Sequence, residues 1–209
     1  MTINAIAVLG ATGRTGRMVV DRAVARGHRV TAVVRPTTTP ARVHGSTVVT
    51  ADPCAAGALT GLLDDHDAVI SALGAAGRGP TTVYSAATGE IIAAMPPAGR
   101  LLVISSGALD IPADAGPSTR LMAILLHRIM RHTYADMTRM ENLLAHSDLR
   151  WTAVRPTRLT DAPASGGPRV SLGASAKVGS RISRADLADY LLDAIDDPHT
   201  YQSVVAVSS

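Results

Sequence analysis

The sequence predicts an α/β fold, in which a doubly wound parallel sheet lies between two layers of helices in a three-layer α/β/α arrangement. Strand-like and helix-like segments alternate along almost the whole chain, which is typical of parallel strands joined by helical crossovers. The strand-like segments are short and apolar, as expected for a sheet that is buried on both faces. Of the 209 residues, 46% are hydrophobic, which is enough to fill a core.

The strands are predicted where short apolar runs are bounded by glycine, proline or polar residues. Pro36 and Pro156 each follow such a run, and proline ends a strand because it lacks a backbone donor. The predicted strands are Ile3–Leu9, Arg29–Val34, Thr47–Thr50, Ala68–Ser71, Arg100–Ser105, Trp151–Arg155, Arg169–Leu172 and Ser203–Val207.

The helices are predicted in the intervals between the strands. Ser183 is the predicted N-cap of the last helix, because Asp186 follows three residues later as in a capping box. A long helical tract is expected to break near residues 131–134. The predicted helices are Arg14–Arg26, Ala55–Leu63, Thr81–Met95, Thr119–His146 and Ser183–Ile195.

A single domain is expected over residues 1–209, because neither an internal repeat nor an interdomain linker is visible. A small substrate-binding part is expected from roughly residues 107–120 and 156–182, which are rich in loop-forming residues. Within this part, residues 162–168 are predicted to form either a mobile lid over the substrate or a simple connection.

The composition disfavours several classes of protein. Cys54 is the only cysteine, so neither an internal disulfide nor a cysteine-based zinc site can form. The seven histidines are scattered, so no metal site is expected. Aromatic residues are not interleaved with the arginine clusters, which disfavours a nucleic-acid partner. The Gly-x-Ser-x-Gly turn of a serine hydrolase is absent from the sequence.

The sequence also limits the cellular setting and the partners. No apolar run reaches the length of a membrane span, and the N-terminus carries no charged leader. A cytoplasmic protein with a small-molecule substrate and no membrane partner is therefore expected. The sequence leaves the oligomeric state open.

The most informative motif is Gly10–Gly16, with glycines at positions 10, 13 and 16 between an apolar strand and a helix. Gly10 is expected to permit a tight turn, Gly13 a close approach to phosphates, and Gly16 close packing of helix and strand. Backbone N–H groups and the helix dipole favour an anion at such a turn. The motif therefore predicts a dinucleotide site, with a purely structural strand–helix turn as the alternative.

The end of the second predicted strand indicates which dinucleotide is bound. An NAD site usually has an acid there, which accepts a hydrogen bond from the ribose 2′-hydroxyl. No Asp or Glu lies between Asp21 and Asp52, and Arg35 stands at the strand end, followed by threonines at 37–39. Arginine can pair bidentately with a 2′-phosphate, and Arg14 in the glycine loop adds a second positive charge. The expected cofactor is therefore NADP(H) rather than NAD(H).

Further candidate residues follow the third, fourth and fifth predicted strands. Asp52 is expected either to accept a hydrogen bond from adenine or to cap the next helix. Leu73 and Gly74 follow the fourth strand, and Ser105 and Ser106 follow the fifth. Ligands of open α/β sheets bind at the carboxyl ends of the strands, so these residues are expected to line the nicotinamide half of the site.

Five motifs are spread over essentially the whole chain: Gly10–Gly16 (GATGRTG), Val33–Pro36 (VVRP), Val103–Gly107 (VISSG), Trp151–Pro156 (WTAVRP) and Ser183–Asp189 (SRADLAD). Together they resemble the NAD(P)H-binding atypical short-chain dehydrogenases, which include the biliverdin reductase B/flavin reductase type and the NmrA-like proteins. The resemblance implies a Rossmann-like fold. It further implies three groups of binding residues: Thr12, Gly13, Arg14, Thr15 and Arg35 at the NADP phosphates, Leu73, Gly74, Ser105 and Ser106 beside the nicotinamide, and Pro156 and Thr157 closing over it.

The chain lacks the Tyr-x-x-x-Lys pair with which classical short-chain dehydrogenases transfer a proton. Its only lysine, Lys177, is preceded at that spacing by Gly173, and Tyr134 is followed at that spacing by Thr138. Ser106 is the polar group expected nearest the substrate, unless it only caps the strand end or contacts the cofactor ribose. Tyr134 is a second candidate, with side-chain packing as its alternative role.

The resemblance and the residues together predict an NADPH-dependent reductase. It would transfer hydride to a small conjugated acceptor, such as a flavin, a quinone, an enone or a ketone, without a Tyr–Lys pair. The alternative is a non-catalytic NADP(H)-sensing protein of the NmrA-like type. A nucleotide-sugar epimerase is disfavoured because it also needs the Tyr–Lys pair.

Overall fold

The structure is a computed structural model that describes residues 3–36, 43–110, 116–173 and 179–209. The described residues form ten strands, five α-helices and a short 3₁₀ helix at Pro198–Thr200. The strands are β1 Ala5–Leu9, β2 Arg29–Val34, β3 Thr47–Thr50, β4 Ala68–Ser71, β5 Arg100–Ile104, β6 Arg150–Pro156, β7 Arg158–Thr160, β8 Arg169–Leu172, β9 Arg181–Ser183 and β10 Ser203–Ser208. The helices are α1 Arg14–Ala25, α2 Val83–Ala94, α3 Pro117–Ile129, α4 Arg131–Ala145 and α5 Arg184–Asp193.

Eight of these strands form one sheet in the order β3-β2-β1-β4-β5-β6-β10-β8, so the predicted Rossmann-like fold is confirmed. The strand pairs from β3 to β10 are parallel, while β8 runs antiparallel to β10 at the edge. An edge strand is less covered than the central strands of a sheet. In β8, the side chains of Val170 and Leu172 are accordingly largely exposed. The sheet is therefore mixed, mostly parallel with one antiparallel strand at this edge.

The helices cover both faces of the sheet, which agrees with the three-layer prediction. In β1, Ile6 and Val8 face a core shared with α1 and α5, whereas Ala7 and Leu9 face a second core shared with α2 and α4. Successive strand residues point to opposite faces, so an entirely apolar strand contributes to two cores at once.

The helix predictions hold with one exception. Residues 55–63 form a series of turns rather than a helix, and Gly57 and Gly61 adopt left-handed φ values of 71° and 74°. The long helical tract breaks at Met130, between α3 and α4, close to the predicted position. Ser183 caps α5 as predicted, because its hydroxyl oxygen accepts a hydrogen bond from the Asp186 N–H at 2.9 Å.

Some sequence expectations concern residues that the structure does not describe. The threonines at 37–39, part of the loop 107–117 and Lys177 lie outside the described residues. The small parallel sheet of β7 and β9 was not predicted, because three-residue strands carry too little periodicity to be recognised. Among the described helices, none combines the length and apolar character needed to cross a membrane.

A buried arginine joins the sheet to the end of α5. The guanidinium of Arg100 donates hydrogen bonds of 2.6–2.9 Å to the carbonyl oxygens of residues 150, 194 and 195 and to the hydroxyls of Thr152 and Thr200. It also lies over the Tyr201 ring, 4.6 Å from the ring centre. Burial lowers the pKa of Arg100 to about 10, so it stays charged at neutral pH. The negative end of the α5 dipole favours a cation at this position.

Arg100→Met is expected to lower the free energy of unfolding by about 2–4 kcal/mol, because buried carbonyl groups lose their donors. Arg150→Met is the matched control, since Arg150 is exposed and its guanidinium lies 5.7 Å from the same Tyr201 ring. Chemical denaturation of both variants measures the difference. Equal unfolding midpoints for the two variants would show that the Arg100 hydrogen bonds contribute nothing beyond ring stacking.

Candidate functional site

A cleft of about 500 Å³ lies at the carboxyl ends of the central strands. The strand order places β2 on one side of β1 and β4 on the other, so the chain reverses its winding direction at β1. Such a switch point is where open α/β sheets bind their ligands. The cleft residues that follow or end these strands are Gly10, Val33, Val34, Arg35, Ala72, Leu73, Gly74, Ala75, Ile104 and Ser105.

The glycine loop is shaped by close backbone contacts. Gly10 has a left-handed φ of 75°, and a Cβ there would lie 2.7 Å from the carbonyl oxygen of Ala72. A Cβ at Gly16 would lie 2.2 Å from the carbonyl oxygen of Gly10. No other residue type can replace either glycine without moving the backbone. The loop therefore packs against both the loop after β4 and the first turn of α1.

The first turn of α1 faces the cleft and carries no acidic side chain of its own. Its N-cap is Gly13, which has no side chain to cap the helix, and its first turn contains no acidic residue. The first N–H groups of an α-helix have no partner within the helix. The positive end of the α1 dipole is therefore available to a phosphate from the cleft.

The cleft brings together most of the predicted cofactor-binding residues. Those that line it are Gly10, Thr12, Gly13, Arg14, Thr15, Arg35, Leu73, Gly74 and Ser105. Arg35 is exposed at the end of β2, and Ser105 is buried beyond the end of β5, so these two residues mark opposite ends of the cleft.

Five predicted cofactor-binding residues lie behind or beside the cleft and do not line it. They are Gly16, Asp52, Ser106, Pro156 and Thr157. The carboxylate of Asp52 accepts a hydrogen bond from the Cys54 N–H at 3.1 Å, which is the capping role given as its alternative. The carbonyl oxygen of Pro156 accepts from the Gly107 N–H, and the Thr157 N–H donates to the carbonyl of Val207. The backbone of both residues is therefore engaged in pairing with neighbouring segments.

An ionic network that the sequence did not reveal holds Ser105. The Ser105 hydroxyl donates to Glu141 Oε1 at 2.6 Å, and Glu141 pairs with Arg155 through two contacts of 2.9 and 2.6 Å. Arg155 also pairs with Asp110. Burial lowers the pKa of the Arg155 guanidinium, but Glu141 and Asp110 outweigh it, and the pKa lies above its ordinary value. The end of β5 is thus fixed to α4 and β6, and the Ser105 hydroxyl proton is engaged by Glu141.

The two candidate catalytic residues, Ser106 and Tyr134, lie next to each other beside the cleft. Burial raises the pKa of Tyr134, and a hydrogen bond with the Ser106 side chain partly opposes that shift. The Tyr134 ring meets the His127 ring edge-on at 5.0 Å, and His127 Nε2 lies 2.7 Å from the carbonyl oxygen of Ala108. Neither candidate lines the cleft, but the adjacent Ser105 and the nearby Met137 do. The Tyr134 phenol is therefore a packed, protonated group at neutral pH.

Sequence reasoning missed Tyr84 at the start of α2. Its phenol oxygen accepts a hydrogen bond from the Ala75 N–H at 3.1 Å, which fixes the loop after β4 over the cleft. Asp136 of α4 is fully buried and accepts from the Tyr84 N–H at 2.9 Å, so α4 supplies the cap that α2 lacks in its own sequence. In the sequence, the only indication of this role for Tyr84 was its position in the first turn of a predicted helix.

Leu159 and Arg184 were also missed, although both line the cleft. Leu159 lies in β7, and Arg184 directly follows β9. The pairing of these two short strands brings the residues to the cleft, and that pairing has no sequence signature. Within the described residues, no cluster of three or more His, Cys, Asp or Glu side chains is suited to a metal ion.

This fold and cleft define a dinucleotide-binding α/β protein. Over residues 10–198 the chain matches the NAD(P)H-binding family, and it belongs to that family. A nicotinamide dinucleotide is therefore its cofactor class. The glycine loop fits the pyrophosphate of such a cofactor, because a Cβ at position 10, 13 or 16 would lie within 3.2 Å of backbone oxygen in the cradle.

Several solved structures share the fold over nearly the whole chain. A Streptococcus pneumoniae protein named as a candidate NADH-flavin reductase is 23% identical, with a TM-score of 0.79 and 99% of each chain covered. An anaerobillin reductase from Escherichia coli is 21% identical, with a TM-score of 0.77, and 98% of this chain and 97% of that chain are covered. An oxidoreductase from Lactococcus lactis is 18% identical, with a TM-score of 0.79, and the shares covered are 98% and 90%. At these sequence identities, the similarity to the three structures shows a shared fold and nothing more specific.

Gly16→Ala is expected to lower the free energy of unfolding by about 1–3 kcal/mol and to weaken the binding of a nicotinamide dinucleotide, because the new methyl group displaces the glycine loop. The control is Gly89→Ala in α2, where a Cβ would meet no atom within 4 Å. That variant should be unchanged, or more stable by up to about 1 kcal/mol. Thermal unfolding and NADPH titration compare the two alanine variants. Matching behaviour in both measurements would refute the proposed packing constraint.

Proposed function

We propose that the protein is an NADPH-dependent oxidoreductase that reduces a small conjugated acceptor, such as a flavin, a quinone, an enone or a ketone. The observation that carries the proposal is the extent of the cleft. It runs from Arg35 at the end of β2, across the glycine loop, to Ile104 and Ser105 at the end of β5. A cleft of this extent offers both a phosphate-binding end and a reacting end.

The phosphate-binding end supports NADP(H) over NAD(H). Arg35 lines the cleft and is exposed, so its guanidinium can reach a 2′-phosphate and form two parallel hydrogen bonds with it. The acid that pairs with the ribose of NAD is absent from the sequence between Asp21 and Asp52. Thr12, Arg14 and Thr15 would hold the pyrophosphate at the first turn of α1.

The opposite end of the cleft suits a flat, apolar acceptor. Ile104, Met137 and Leu159 line it, and these side chains exclude water from a reacting centre. When bound, the nicotinamide supplies the hydride, and the chain supplies orientation and a dry surface. Leu73 and Gly74 would lie against the nicotinamide.

The proton that completes the reduction would come from Tyr134, which lies beside Ser106. The raised pKa of Tyr134 keeps its phenol protonated. Because Tyr134 lies beside the cleft, an acceptor must reach past Ser105 and Met137 for its developing oxyanion to accept a hydrogen bond from this phenol. Thr138 occupies the position of the lysine in the classical pair, and its hydroxyl donates to the carbonyl oxygen of Tyr134 at 3.0 Å. Threonine cannot lower the pKa of a phenol as a lysine does. A conjugated acceptor, which spreads the negative charge, therefore suits this site better than an unconjugated ketone.

Two of the structural neighbours are named as reductases, and their names agree with this proposal. The likeness in sequence is low, so the choice of acceptor depends on the chemistry of the cleft.

The purified protein is expected to oxidise NADPH in the presence of a flavin, a quinone or an enone, measured by the loss of NADPH absorbance. Tyr134→Phe keeps the ring that contacts His127 but removes the hydroxyl, so kcat should fall about 10–100-fold with little change in NADPH affinity. Ser106→Ala should give a smaller decrease in the same direction.

Tight NADPH binding without turnover of any acceptor would contradict the reductase assignment and favour an NADP(H)-sensing protein. Full activity of Tyr134→Phe would show that water, and not Tyr134, donates the proton to the reduced acceptor.

Arg35→Gln is expected to raise the dissociation constant of NADPH about 10–100-fold while that of NADH changes little, because only NADPH carries the 2′-phosphate. Arg29→Gln is the matched control, since Arg29 is an exposed arginine at the other end of the same strand. Isothermal titration with both dinucleotides measures the effect. A wild-type protein that binds NADH and NADPH equally tightly would refute the preference.

A further inference from the structure

Three charged residues meet at one side of the cleft. The carboxylate of Asp161 accepts a hydrogen bond from Arg184 Nη1 at 2.7 Å, and it also pairs with Arg14. Arg14 is the first residue of α1 and Arg184 is the first residue of α5, and both line the cleft. Two guanidinium groups thus share one carboxylate next to the glycine loop.

The small sheet of β7 and β9 builds this arrangement. The two strands are parallel and in register, with Thr160 opposite Ser183. Asp161 and Arg184 are the next residues on each strand, so the sheet presents them side by side. Their proximity is therefore a consequence of backbone pairing and does not depend on a chance meeting of long side chains.

The three side chains differ in exposure. Arg184 is 13% exposed, whereas Asp161 and Arg14 are 55% and 67% exposed. The nearly buried Arg184 has lost most of its hydration and requires an anionic partner. The exposed Asp161 can leave this position for water at little cost, because exposed ion pairs contribute little to stability.

The loop that carries Asp161 is anchored at a second point, which does not involve Asp161. The buried carboxylate of Asp186 accepts hydrogen bonds from the Ser165 N–H at 2.8 Å and the Ser165 hydroxyl at 3.0 Å. Burial raises the pKa of Asp186, but hydrogen bonds from Ser183, Ser165 and Ser209 outweigh that effect and hold the pKa below its ordinary value. Asp186 therefore stays ionised at neutral pH, and the loop after Asp161 remains attached to α5.

We propose that Arg184 is a phosphate-binding residue of the dinucleotide site and that Asp161 is a competing anion, which occupies Arg14 and Arg184 until the pyrophosphate displaces it. This inference rests on the proposed placement of the pyrophosphate at the glycine loop. Two guanidinium groups suit a diphosphate better than a single carboxylate, because each can form charge-assisted hydrogen bonds with its oxygens. Asp161 thus lowers the affinity for every diphosphate-bearing ligand and releases the loop 161–165 at its exposed end when one binds.

The test measures the binding of inorganic pyrophosphate, NADPH and adenosine to the whole protein by isothermal titration at low ionic strength. Asp161→Asn should lower the dissociation constants of pyrophosphate and NADPH about 5–10-fold, because the competing charge is removed. Arg184→Gln should raise both about tenfold, and Arg184→Lys should restore part of the loss. Adenosine carries no phosphate, so its binding should be the same in all variants.

Asp189→Asn is the matched control. Asp189 also joins α5 to α1 through arginines, with Arg22 Nε at 2.8 Å from its carboxylate, but it does not line the cleft. Its removal should leave the dissociation constants unchanged. Urea unfolding of each variant checks that the fold is retained.

Three results would overturn the inference. Weaker pyrophosphate binding in Asp161→Asn would show that the carboxylate positions the arginines instead of competing for them, and unchanged binding would show that it does neither. This test can fail or succeed independently of the reductase proposal. If the protein reduces no acceptor but Asp161→Asn binds pyrophosphate more tightly, the proposed role of Asp161 is supported and the reductase proposal is not. A wild-type protein that binds neither pyrophosphate nor NADPH would overturn both.

Discussion

The close approach of two backbone loops at Gly10 is the constraint on which the site depends. The loop after β1 passes so near the loop after β4 that a Cβ at Gly10 would lie 2.7 Å from the carbonyl oxygen of Ala72, and α1 begins so near that Gly16 meets the same limit. This packing places the first turn of α1 in the cleft, next to the ends of β4 and β5. Backbone contacts thereby hold the glycine loop and the ends of β4 and β5 in one cleft.

Buried polar groups from distant parts of the chain maintain the geometry around that contact. Asp136 of α4 caps α2, Tyr84 of α2 fixes the loop after β4, and the Glu141–Arg155 pair holds the end of β5. Each of these groups is satisfied by a partner at least nine residues away in the sequence, as buried polar groups require. Buried polar contacts consequently hold the cleft wall on the side of α2, α4 and β5, while the exposed Asp161 lies on the side of β7 and β9.

Local patterns predicted the elements whose sequence alone fixes their conformation. The apolar strands, the glycine loop, the break between α3 and α4 and the Ser183 cap were all recognisable, because each depends on residues within a few positions of one another. Residues 55–63 were predicted as a helix and form turns, because left-handed glycines at 57 and 61 interrupt an otherwise apolar pattern. The pairing of β7 with β9 and the antiparallel pairing of the predicted strand β8 with β10 depend on partners elsewhere in the chain, so no local pattern identified these pairings.

The sequence by itself determined the fold class, the position of the glycine loop and the presence of Arg35 without a neighbouring acid, since these follow from residue type and spacing. The tertiary structure alone decided which side chains share the cleft. It added Tyr84, Leu159 and Arg184, and it placed Gly16 and Pro156 behind the cleft surface. The physical reason is that side-chain direction at a strand end is set by packing and ion pairs with segments far away in the sequence. The contact of Asp161 with Arg14, 147 residues apart, is the plainest case.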